Sequence, residues 1–77
     1  MAKELRLPRM GITMQEGVLV EWLVREGDRL TKGQVIAQVE TDKAVQELEA
    51  PSGGVLTRLL VAAGARVPVD TVIAELD

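Results

Sequence analysis

The sequence predicts an all-β domain, a flattened barrel or sandwich of two sheets related by a pseudo-twofold axis. Three observations lead there. First, the chain repeats itself at an offset of 37: residues 17–40 (GVLVEWLVREGDRLTKGQVIAQVE) lie over residues 54–77 (GVLTRLLVAAGARVPVDTVIAELD) with ten of 24 positions identical, and a repeat reveals architecture before secondary structure does. Second, each unit is rich in valine, leucine, isoleucine and threonine, with glycine recurring every ten residues or so, the punctuation of short strands. Third, 77 residues make one small domain, and a chain of that size buries only about 60% of its unfolded surface, enough for one thin core.

In chain order the pattern predicts strands near 3–8, 17–24, 35–40, 44–49, 54–61 and 71–76, with shorter extended pieces near 29–31 and 66–68. No helix is expected. Upstream of the repeat, ELRLP (4–8) matches ELEAP (47–51) at an offset of 43, so the first unit carries six extra residues between its proline and its glycine. A long loop, RMGITMQE (9–16), replaces the SG pair (52 and 53) of the second unit; insertions in matched repeats tend to be surface loops, where function is usually placed. Residues 41–45 form the join between the units. Gly27 and Gly64 fall at equivalent turns where positive φ is expected, and Gly33 and Gly54 are likewise backbone requirements. Pro8, Pro51 and Pro68 fall at strand ends, where a missing donor does little harm. Trp22, the one aromatic residue, reads as core, as does its repeat partner Leu59, while Glu21 and Arg58 read as matched outward-facing polar breaks.

Composition excludes several functions. Neither cysteine nor histidine is present, which removes disulfides, thiolate or imidazole metal sites, a cysteine nucleophile and the commonest general base. Ser52 is the single serine and has no triad around it, so no catalytic residue and no metal site are expected. A net charge of −3 and the lack of Phe and Tyr argue against nucleic acid, which needs a basic patch and stacking platforms. No apolar run is long enough to span a membrane, and MAKELRLP lacks the apolar centre of a signal peptide. The chain therefore reads as cytoplasmic, and the initiator methionine so close to the first patterned segment argues against a cleaved targeting peptide.

The alternation of residues 39–51, VETDKAVQELEAP, breaks at Lys43. If the strand ending at Glu40 pairs with the one beginning at Ala44, then Thr41, Asp42 and Lys43 form the hairpin tip. Asp42 suits a tight turn because its carboxylate can accept hydrogen bonds from nearby amides, and Lys43 then projects into solvent. On turn chemistry alone a solubilising lysine is the better account of that position.

The motif ETDKA resembles the modification site of lipoyl domains, the swinging-arm carriers of 2-oxo acid dehydrogenase complexes, with Lys43 matching the lysine that carries lipoate in amide linkage. Glu40, Gly27 and Gly54 also match the family's pattern, and the similarity runs from Leu5 to Leu76. The loop GITMQEG (11–17) looks like that of the dihydrolipoyl acyltransferase component of pyruvate and acetoin dehydrogenase complexes. Asp70 and Thr71 depart from the glycine and small residue or proline of many relatives. The resemblance implies two four-stranded antiparallel sheets, a barrel-sandwich hybrid, with the lysine hairpin at one end and the termini at the other. It implies a non-catalytic carrier: lipoyl-Lys43 accepts an acyl group from a thiamine-diphosphate 2-oxo acid dehydrogenase component, delivers it to the acyltransferase core for transfer to coenzyme A, and is reoxidised by dihydrolipoyl dehydrogenase. A lipoate ligase or lipoyl transferase is the implied modifying partner. Glu40, Thr41, Asp42 and Ala44 are then the hairpin and recognition residues. Glu47 and Glu49 read better as a solvated strand face. Met10, Gly11, Ile12, Thr13, Met14, Gln15 and Glu16 form the partner-recognition loop, with core packing an equal account of at least one of Met10, Ile12 and Met14.

Two rivals differ at this lysine. A biotinyl carrier shares the fold but normally has methionine on both sides of the lysine, where Asp42 and Ala44 stand here; an unmodified interaction module shares the hairpin and carries nothing. The expected parent is a longer acyltransferase with residues 1–77 as its N-terminal, monomeric lipoyl domain, cytoplasmic in a bacterium or in the mitochondrial matrix of a eukaryote.

Overall fold

A computed structural model describes residues 3–77, which form eight β-strands: β1 (Lys3–Arg6), β2 (Glu16–Trp22), β3 (Arg29–Leu30), β4 (Val35–Glu40), β5 (Val45–Glu49), β6 (Gly54–Leu59), β7 (Arg66–Pro68) and β8 (Val72–Leu76). They build two four-stranded antiparallel sheets, in the orders β1-β8-β6-β3 and β5-β4-β2-β7. The sheets stay separate, so of the barrel and sandwich alternatives the sandwich is found. In each sheet the inner pair comes from one repeat unit and the outer pair from the other. Neither unit can therefore complete a sheet by itself.

The twofold relation reaches individual bonds. The Gly27 amide donates to Leu56 O and the Gly64 amide to Leu19 O, both at 2.6 Å, while Leu56 N donates to Asp28 O and Leu19 N to Ala65 O, both at 2.8 Å. Positions 27 and 64, 19 and 56, and 28 and 65 are repeat partners, so each unit's crossing turn is bonded to the other unit's long strand. Trp22 lies half-buried against the core, its Nε1 donating to Val61 O at 2.9 Å, with Leu59 packed likewise.

β2 and β6 end at Trp22 and Leu59, two residues before the expected ends, because the chain there leaves the sheet for the crossing turn. Both strands also bulge, between Leu19 and Glu21 and between Leu56 and Arg58. A bulge slips the alternation by one residue, which places Val20 and Glu21, and Thr57 and Arg58, side by side on the surface. A second matched pair of bulges, at Ile36 in β4 and Ile73 in β8, does the converse: Ile36 with Ala37 and Ile73 with Ala74 are consecutive residues that both face the core.

The core consists largely of repeat pairs: Leu5 and Leu48, Leu19 and Leu56, Leu30 and Val67, Ile36 and Ile73, Ala37 and Ala74, Val39 and Leu76. Met14 is buried with them and belongs to the six-residue insertion, so it has no partner. Among the described residues no charged side chain is buried.

Two turns show how far the symmetry constrains the backbone. Gly33 has φ 87° and its repeat partner Asp70 has φ 75°, so the departure noted at Asp70 leaves the left-handed turn intact, aspartate being one of the few residues that enter it. Each turn is tied in the same way, Gly33 N donating to Ala50 O at 2.9 Å and Asp70 N to Leu7 O at 2.8 Å. Gly54 is tighter: at φ 150° a Cβ there would lie 2.7 Å from Asp77 O. Replacing Gly33 by alanine meets no atom within 4 Å and is expected to cost about 1 kcal/mol, the left-handed backbone alone. Gly54→Ala adds the overlap and is expected to cost at least about 2 kcal/mol. Urea denaturation of the two variants checks the ranking.

Candidate functional site at the seam hairpin

Glu40 and Val45 face each other at the end of the β4–β5 ladder, leaving residues 41–44 as the connection. Thr41 closes it. Its amide donates to Ala44 O at 2.8 Å, its Oγ1 donates to the same carbonyl at 3.0 Å, and Oγ1 in turn accepts the amides of Lys43 and Ala44 at 3.3 Å each. The capping expected of Asp42 is thus supplied by Thr41. A hydroxyl on the first residue of the connection can both donate and accept, whereas the Asp42 carboxylate is exposed and, among the described residues, accepts no hydrogen bond. Lys43 is exposed and makes no ion pair or side-chain hydrogen bond among the described residues. Its ammonium therefore stands unpaired among the described residues on a closed turn, flanked by the exposed Glu40, Asp42 and Ala44.

The inserted loop lies at the same end, because β2 begins at Glu16 and runs beside the close of β4, Val18 facing Glu40. Its three apolar side chains separate cleanly. Met14 is 3% exposed and Ile12 94% exposed, while Met10 is half-buried against the core. The separation follows from a turn at residues 11–14, where Met14 N donates to Gly11 O at 3.1 Å and Met10 N to Met14 Sδ at 3.1 Å. Arg9 Nη1 donates to Ile12 O at 3.2 Å, holding the tip that carries Ile12, Thr13 and Gly11 outward. Gln15 O accepts Val69 N at 2.9 Å, and the Glu16 carboxylate pairs with Arg66 at 3.1 Å.

A cleft of about 260 Å³ opens between the start of β2, the hairpin residues Glu40, Thr41 and Asp42, and Arg66. Arg66 and the half-exposed Val45 were not anticipated from sequence. Arg66 is identical to its repeat partner Arg29 and so reads as part of the duplicated pattern. What distinguishes it is Glu16, whose counterpart near Arg29 is Gly53. Val45 stands 53% exposed one residue after Ala44, where alternation predicts a face but not that the sheet edge leaves it uncovered. Glu47 and Glu49 point to solvent from β5.

The Glu16–Arg66 pair is largely exposed and contributes at most about 1 kcal/mol; Met14 is the stronger tether. Met14→Ala is expected to destabilise the domain by about 2–4 kcal/mol, while Ile12→Ala leaves stability within about 0.5 kcal/mol. Chemical denaturation of both variants tests that division.

Comparison with known proteins agrees with this geometry. A biotin/lipoyl family model, described as Biotin-requiring enzyme, matches residues 3–76. The pyruvate dehydrogenase E1 component subunit beta of Rhizobium meliloti is 48% identical over 99% of this chain and 17% of its own length. The dihydrolipoyllysine-residue acetyltransferase components of pyruvate dehydrogenase complexes from Rickettsia bellii and Zymomonas mobilis are 45% and 41% identical, over 95% and 99% of this chain and 18% of each relative. The chain thus spans under a fifth of the length of these curated relatives. Among solved structures, the lipoyl domain of the 2-oxoglutarate dehydrogenase complex from Azotobacter vinelandii superposes with a TM-score of 0.76 at 23% identity, covering 96% of this chain and 94% of that one. A single-chain, multi-domain long-chain acyl-CoA carboxylase gives 0.77 at 24% identity over 96% of this chain and 7% of that one. Both structural likenesses bear on fold alone. With the family match running through both units and the hairpin between them, the chain belongs to the biotinyl/lipoyl domain family.

Proposed function

We propose that the chain is a lipoyl carrier domain of a 2-oxo acid dehydrogenase complex and that Lys43 Nζ is the point of amide attachment. The observation that carries this reading is the unpaired, exposed amine of Lys43 on a turn closed by Thr41. The site fits the group: the amine is accessible to an activated carboxyl, no carboxylate or hydrogen bond among the described residues holds it, and the chain has no thiol to exchange with a dithiolane. Such a group supplies a disulfide that takes up an acyl unit as it is reduced, yields it to coenzyme A and is then reoxidised.

The residues of this chain anchor and steer. A rigid turn gives a tethered group a defined origin, which raises its effective concentration at each partner site. Exposed Glu40 and Asp42 give the approach a negative field that favours basic rims on partner enzymes. Ile12 offers an apolar contact to the thiamine-diphosphate component, held outward because Met14 anchors its loop. The domain itself performs no bond chemistry. The other partners in this reading are the acyltransferase core, dihydrolipoyl dehydrogenase and a lipoate ligase or lipoyl transferase. Asp42 and Ala44 in place of flanking methionines weigh against a biotinyl carrier.

The acetyltransferase names of several relatives support an acyltransferase parent and pyruvate as the 2-oxo acid; in this reading the domain stands at the parent's N-terminus. The 48% relative favours a second reading for the parent alone, a β subunit of the decarboxylase component bearing its own carrier domain. In both readings the carrier works in the bacterial cytoplasm, or in the mitochondrial matrix of a eukaryotic host.

The test uses chain purified from lipoate-fed cells, incubated with a pyruvate decarboxylating component, thiamine diphosphate and labelled pyruvate. Wild type is expected to take up one acyl label per chain and Lys43→Arg none, and Ile12→Ala is expected to lower kcat/KM about tenfold, the size of a loss of about 1.4 kcal/mol at one interface anchor. Uptake by Lys43→Arg, or none by wild type, overturns the proposal.

A further inference from the structure

We infer that the Thr41 hydroxyl is a positioning group for modification of Lys43, a clasp that holds the hairpin in the conformation the modifying enzyme accepts; this rests on the attachment site proposed above. The backbone alone does not secure the turn. Positive φ among the described residues is confined to Asp70 and to Gly27, Gly33, Gly54 and Gly64, so residues 41–44 contain no left-handed position, and the tight two-residue hairpin turns that need one are not available here. The backbone contributes one bond across it, Thr41 N to Ala44 O at 2.8 Å, and the rest of the closure comes from one side chain. Thr41 Oγ1 donates to Ala44 O at 3.0 Å and accepts the amides of Lys43 and Ala44 at 3.3 Å, so the same oxygen touches the backbone of Lys43 itself and that of the residue after it.

Three properties make this a device for presentation more than for folding. The hairpin residues Asp42, Lys43 and Ala44 are all exposed, so amides released from Oγ1 find water and the core is not disturbed. The ladder below is held independently, from Glu40 facing Val45 to Val35 facing Glu49. Thr41 also lines the cleft beside the hairpin, so the hydroxyl fixes the wall of that cleft and the direction of the lysine together.

Thr41→Val preserves shape and β-branching without the hydroxyl; Thr41→Ser preserves the hydroxyl without the branch. The experiment follows modification of the unmodified 77-residue chain by a lipoate ligase with lipoate and ATP, alongside amide hydrogen exchange at Lys43 and Ala44. Thr41→Val is expected to fold with an unchanged core, to exchange both amides faster, and to be modified with kcat/KM lowered about fivefold, the factor equivalent to one net hydrogen bond, while Thr41→Ser recovers both. Equal kcat and KM for Thr41→Val and wild type overturn the inference, as does a Thr41→Ser variant that stays slow. If wild type is itself not modified, the attachment proposal falls; the clasp is then judged on exchange, and equal exchange in Thr41→Val and wild type overturns it as well.

Discussion

The structure depends on the reciprocal bonding of the two crossing turns. Gly27 N reaches Leu56 O and Gly64 N reaches Leu19 O, and each strand returns an amide to the turn that clasps it. Because buried backbone groups must be paired, neither unit satisfies its own long strand, and folding has to bring both together at once. The strand orders say the same on a larger scale, with the outer strands of each sheet donated by the opposite unit. A small chain with a thin core gains cooperativity from this arrangement, since losing one turn uncovers the other unit's strand.

The symmetry makes the two ends alike in principle, and the end proposed to carry the function is the one where it is broken. Two things break it: the hairpin at the seam, and six inserted residues ahead of β2. Both fall beside the end of β4 because β2 and β4 are antiparallel neighbours. The insertion contributes Met14 to the core and Ile12 to the surface, so the same segment that is tethered also presents. Glu16 and Arg66 then connect the loop's exit to β7 across the cleft.

Most of the strand positions were legible in the sequence, because period-two alternation and the repeat at 37 constrain each other. β4 and β7 fall where the pattern puts them, and the others differ by one to two residues at their ends. The bulges at Val20 and Thr57 and at Ile36 and Ile73 were not legible, since a bulge is a property of cross-strand register. The exchange of outer strands was likewise hidden, because a repeat gives equivalence without saying which unit pairs with which. At the site, Lys43 stood out as a break in alternation. The clasp did not, since Asp42 carries the stronger turn propensity and only the path of the chain brings Thr41 Oγ1 onto Ala44 O. Met10, Ile12 and Met14 form an alternating apolar series with no register of its own, and the Gly11–Met14 turn decides which of them enters the core.

The central claim is that a duplicated sandwich holds one lysine in the posture of a carrier. The intact mass of the chain, made in cells supplied with lipoate and biotin, tests it most directly. The account predicts a single lipoyl increment on wild type that disappears in Lys43→Arg. A biotinyl increment, no increment, or a lipoyl increment that survives in Lys43→Arg would contradict it.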